Sequence, residues 1–190
     1  EEASVEGGLV HLDPARRDES TGRRYWRLED LSPGPEMIRS IVGGSEGGAI
    51  KLGPGLPRPF PEFHEEQSIS IVSEGRRLVQ AVVWTGSLAG VDPVEAVDLP
   101  SGAVFSGTSE EMPIGESPSL ETGPRDDGLV LVEFHPAVER ASLGPAAWRD
   151  RFGEAPMTEP ATGLGLGFAL ADDLGEGGAV SSRWIRMTEV

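Results

Sequence analysis

The chain has 190 residues and 32 acidic against 16 basic side chains, a formal net charge of −16, with no cysteine. That balance excludes disulfides, thiolate metal sites and a cysteine nucleophile, and the missing thiols point to the cytoplasm. It also disfavours broad electrostatic binding of nucleic acid or anionic membrane, except where basic residues are concentrated locally. No apolar run approaches the ~18 residues of a membrane-spanning helix. The 3 histidines are scattered, which argues against a zinc site, and no metal is expected.

The first element is Leu9-Val10-His11-Leu12, followed by Asp13-Pro14-Ala15-Arg16-Arg17. It reads as a short buried strand that ends on a carboxylate, with a proline that has no N–H to extend the ladder. Ligands in open α/β sheets bind at the carboxyl ends of the strands, which makes Asp13 the first candidate site residue. The bland alternative is a turn, since Asp-Pro commonly does no more than end a strand. His11 alternates with Val10 and Leu12 and would face the other way. Arg16, Arg17, Arg23, Arg24 and Arg27 fall within twelve positions of a chain whose single lysine is Lys51. Tyr25-Trp26 among them could stack on bases, or simply cover a sheet edge.

Pro33, Gly34 and Pro35 then precede Met37, Ile38, Ile41 and Val42, whose spacing is helical, and Gly43-Gly44 ends the pattern. Gly48–Leu52 is a second strand. Strand, helix and strand in so few residues predict a βαβ crossover with parallel strands. Ser68–Val72 alternates with period two, and Arg77–Trp84 follows a turn, which predicts a β-hairpin. Residues 95–99 and 103–105 add two short strands. Residues 109–127 are rich in Ser, Glu, Gly and Pro and read as a linker. Beyond it come a strand over 128–134, a helix opened by His135-Pro136, a short helix over 146–152, an alternating strand at Leu164–Leu170 and a last strand at Trp184–Met187. Gly163–Gly167 lacks the Lys-Ser/Thr of a nucleotide loop and reads as a glycine-rich strand.

Several blocks in this order resemble a known family. They are Leu12-Asp13-Pro14-Ala15-Arg16-Arg17, then Arg24–Pro33, Ala49–Pro57, Val79–Gly86 and Glu133–Ala141. The chain is similar to the C-terminal part of bacterial class I S-adenosylmethionine-dependent methyltransferases with a THUMP-like domain. The resemblance implies an α/β fold: the C-terminal half of a Rossmann-like methyltransferase sheet, its parallel strands ending in an antiparallel hairpin, followed by a small α+β THUMP-like unit. The implied domains are the methyltransferase half over 1–108, the linker over 109–127 and the THUMP-like unit over 128–190.

The resemblance further implies that the opening strand is the fourth of a seven-stranded sheet. Asp13 and Pro14 would then stand in the catalytic post-strand motif, with Ala15, Arg16, Arg17, Tyr25, Trp26 and Lys51 contacting substrate. Amine methyltransferases of similar type carry Asp/Asn-Pro-Pro-aromatic there; Ala15 and Arg16 replace its last two residues. The implied donor is S-adenosylmethionine and the implied substrate RNA (tRNA or rRNA), with no membrane partner. The glycine-rich donor loop of the family is not in this sequence, so the missing N-terminal half of the same protein is an expected partner, and the chain alone is expected to be inactive. Two other readings stay open: a non-catalytic RNA-binding or assembly module, and an acidic protein-interaction domain.

Overall fold

A computed structural model describes residues 7–15, 22, 27–99, 101–110, 129–153, 166–170 and 182–189. They form two compact units, Glu1–Ser106 and Gly107–Val190. Among the described residues no helix is long and apolar enough to cross a membrane.

The first unit is built on a six-stranded sheet. Its strands are β1 (Leu9–Leu12), β2 (Gly47–Leu52), β3 (Gln67–Glu74), β4 (Arg77–Gly86), β5 (Val94–Leu99) and β6 (Ala103–Gly107), with helix α1 (Pro35–Gly43) between β1 and β2. The spatial order is β1-β2-β4-β3-β5-β6. β1 and β2 are parallel, as the crossover pattern predicts, and β3 and β5 are parallel too. β4 runs antiparallel to both β2 and β3. The hairpin therefore folds back so that its second strand, not its first, meets the parallel pair.

Period-two alternation explains what each face does. Ile50, Val83, Ile69 and Val94 lie in register across four strands, and Leu52, Ala81, Ile71 and Ala96 form the next row. All eight are buried. α1 presents its buried Ile38, Ile41 and Val42 to the same core. It enters with Pro35 in its first turn, where the missing N–H is harmless, and stops at Gly44. Gly48 permits the close approach: a Cβ there would lie 2.8 Å from Val10 Cγ2 and 3.4 Å from Val42 Cγ1. Leu56 and Phe63, in the connection from β2 to β3, are also buried. Arg39 holds that connection, since its Nε donates to Glu62 O at 3.0 Å.

The opposite face is more polar. One row runs His11, Ala49, Trp84, Ser68, and the next Lys51, Val82, Ser70, Glu95. Here the structure corrects the expectation of a buried opening strand. Leu9 is 61% exposed, His11 is exposed, and Val10 and Leu12 are only half-buried. Among the described residues β1 is an edge strand paired with β2 alone, so its apolar residues lack the second flank that burial requires.

The second unit has a three-stranded sheet of β7 (Leu129–Phe134), β8 (Leu166–Leu170) and β9 (Ile185–Glu189), with β7 in the middle and both pairings antiparallel. Two helices follow β7, α2 (Pro136–Arg140) and α3 (Gly144–Phe152). Val130, Val132, Phe134, Val138, Leu143 and Trp148 are buried. His135 starts α2 as a cap: its Nδ1 accepts from Ala137 N at 3.3 Å, and its ring meets Trp184 edge-on at 5.3 Å. Most of the expected linker, 111–127, lies outside the described residues, as does Gly163–Gly165.

Candidate functional site

Asp13 follows the last residue of β1, and Lys51 is the next-to-last residue of β2. Because β1 and β2 are parallel and Leu12 pairs with Ile50, residues 13 and 51 reach the same level at the carboxyl edge. There Lys51 Nζ donates to Asp13 Oδ2 at 2.9 Å. The side chains are 38% and 48% exposed, so the pair sits at the mouth of the edge and not inside the core. A carboxylate and an ammonium are thus offered together, in a water-accessible position, where α/β sheets bind ligands.

Pro14 is buried and stops the ladder, and Ala15 behind it is exposed. Ala15 then forms an isolated antiparallel bridge to Ser32, with Ala15 N donating to Ser32 O at 2.7 Å and Ser32 N to Ala15 O at 3.2 Å. The intervening chain accordingly begins and ends at this edge. Pro33 follows through a cis bond, and α1 starts two residues later. Asp13 is therefore fixed from both sides, by the strand before it and by the bridge after it.

Of the eight site residues expected from sequence, four are described: Asp13, Pro14, Ala15 and Lys51. The structure brings Asp13 and Lys51 into contact, a pairing that the 38-residue separation in sequence conceals. Arg16, Arg17, Tyr25 and Trp26 lie outside the described residues. His11 is on the polar face, two residues from Asp13. His64 is engaged locally, its Nδ1 accepting from Glu66 N at 3.0 Å.

A second polar cluster lies on the same face near the amino end of β5. Trp84 Nε1 donates to Ser70 Oγ at 2.7 Å, and the Ser70 hydroxyl donates to Glu95 Oε1. Trp84 is half-buried. The signal for this cluster is in the sequence: Ser68 and Ser70 alternate with Ile69 and Ile71, leaving one strand face small and polar.

No protein-family model matches this sequence, and no curated protein matches it. A solved structure does: a protein from Porphyromonas gingivalis W83 described as a "putative methyltransferase". It superposes with a TM-score of 0.54 at 15% sequence identity, over 96% of this chain. The chain spans 43% of the length of that structure. At this identity the likeness is one of fold: a mixed α/β arrangement with parallel and antiparallel pairs in one sheet.

Proposed function

We propose that this chain carries the substrate-facing half of an S-adenosylmethionine-dependent methyltransferase that acts on RNA, with a THUMP-like second unit. The observation that carries the reading is Asp13-Pro14 at the carboxyl edge of two parallel strands, in a fold that superposes on the methyltransferase-described structure. The donor supplies an electrophilic methyl group next to a sulfonium, together with an amino group and a carboxylate. Asp13 and Lys51, one group of each sign 2.9 Å apart, stand on the substrate side of such a donor. In this reading Asp13 accepts a hydrogen bond from the target group and orients it, while buried Pro14 keeps the carboxylate in place. Lys51, with Arg16 and Arg17, meets substrate phosphate through charge-assisted hydrogen bonds. The remaining wall of the donor site belongs to an N-terminal half that pairs with the open edge of β1, so the 190-residue chain alone binds the donor weakly and turns nothing over.

Calorimetry with S-adenosylmethionine tests this directly. The expected result is no micromolar binding by the chain alone, with donor binding and methyl transfer to RNA once the residues encoded upstream are restored. Asp13→Asn in that longer protein should abolish transfer and leave RNA retention on filters intact. Micromolar donor binding by the isolated chain, or full transfer by Asp13→Asn, rejects the assignment.

One observation favours a second reading. The Asp13 carboxylate is already engaged by Lys51, and exposed Ala15 offers no ring for stacking a base. In a non-catalytic RNA-binding or assembly module the pair would only tie two strand ends together, and Asp13→Asn would have no activity to remove.

A further inference from the structure

The polar face of the first sheet holds a cleft of about 350 Å³, lined by Trp84, Leu88, Gly90, Asp92, Glu95 and Ser106 among others. It lies toward the amino end of β5, whereas Asp13 follows the carboxyl end of β1. Its two carboxylates are each held by one oxygen. Ser70 donates to Glu95 Oε1, and Ser106 Oγ donates to Asp92 Oδ2 at 2.6 Å. Among the described residues Glu95 Oε2 and Asp92 Oδ1 have no protein partner, and no Lys or Arg is among those that line the cleft. Trp84 is fixed beside them by its hydrogen bond to Ser70. The wall is fixed as well, since Gly90 N donates to Ser68 Oγ at 2.7 Å.

The geometry points to a binding site for the guanidinium of an arginine side chain presented by a partner polypeptide. Two oriented carboxylates without a basic partner attract a cation, and an indole adds attraction to a cation near its ring. The free carboxylate oxygens are acceptors, so they select a cation that carries N–H donors. A planar guanidinium supplies five donors and also stacks on aromatic faces, which an ammonium does less well. Among the described residues no third His, Asp or Glu joins the pair, so the oxygen cage of a divalent metal is lacking. The chain's net charge of −16 adds a long-range field that draws in basic segments.

The test follows the Trp84 indole N–H by NMR in the 190-residue chain, with Trp84→Phe to assign the resonance. N-acetyl-arginine methylamide should shift it saturably, and the uncharged citrulline analogue should not. Tetramethylammonium, a cation without N–H donors, should bind more weakly than the arginine probe. Glu95→Gln and Asp92→Asn, which keep an acceptor for Ser70 and Ser106, should each weaken the arginine probe about tenfold, as expected for one lost charge-assisted hydrogen bond. Equal shifts from the citrulline probe, unchanged affinity in both variants, or a response to magnesium with none to arginine would each overturn the assignment.

Discussion

The ion pair at the carboxyl edge gives the sharpest test of whether that edge is built for stability or for binding. Lys51 Nζ and Asp13 Oδ2 are 2.9 Å apart, but 38% and 48% of the two side chains remain exposed. Water screens such a pair, and holding two side chains in one geometry costs entropy, so its coupling should be only about 0.2–1 kcal/mol. A double-mutant cycle of Asp13→Asn and Lys51→Met, read by urea unfolding on the Trp84 indole resonance, isolates that coupling in the first unit. For a unit of this size even 1 kcal/mol moves Tm by about 4–8 °C, so the shift is measurable yet small. It should shrink further at 1 M salt, where the screening length is about 3 Å. A coupling above about 2 kcal/mol, or one indifferent to salt, would mean that the pair is a structural clamp, and the argument for a ligand edge would lose its footing. The expected small value makes Asp13→Asn a clean functional probe, because a lost activity could not be blamed on unfolding.

Three further outcomes follow from the packing. Gly86 sits at φ +56 with a built Cβ only 2.4 Å from Glu46 O, so Gly86→Ala should cost at least about 2 kcal/mol, seen as a lower urea midpoint. An unchanged midpoint would contradict the close approach of β4 to the start of β2. Ile71 is fully buried and lies between Ala81 and Ala96, neighbours too small to fill a void, so Ile71→Ala should lose about 3–5 kcal/mol. In the second unit, hydrogen bonding from Arg149 holds the Glu110 carboxyl below its ordinary range. A depressed carboxyl stabilises the fold above its unfolded pKa, and that contribution disappears as pH falls through the folded value. Carbon-detected titration of Glu110 should therefore show a midpoint that rises in Arg149→Ala; an identical midpoint would remove the pair from the account.

Local chemistry made much of this fold readable. Met37, Ile38, Ile41 and Val42 at helical spacing between Pro35 and Gly44 define α1, and its buried residues are three of those four. The alternation over Ser68–Val72 and the turn before Arg77 define the β3–β4 hairpin, although both strands run longer than the pattern suggests. Asp13-Pro14 marks a strand end, and the strand does end at Leu12.

Burial of β1 was not readable in the same way. Leu9-Val10-His11-Leu12 is apolar enough for an interior strand, and only its place at the sheet edge leaves Leu9 and His11 exposed. The alternation of Ser68 and Ser70 marks a polar strand face, but that Trp84, Ser70 and Glu95 meet on it was hidden, because they join three strands through register. Sequence by itself determined the elements and their apolar faces, since capping, turn chemistry and periodicity act over a few residues. Tertiary structure alone decided that β4 inserts between β2 and β3, that Lys51 reaches Asp13, and that Asp92 and Glu95 share a cleft. Those facts depend on strand order and register, which couple residues far apart in the chain and leave no local trace in composition or spacing.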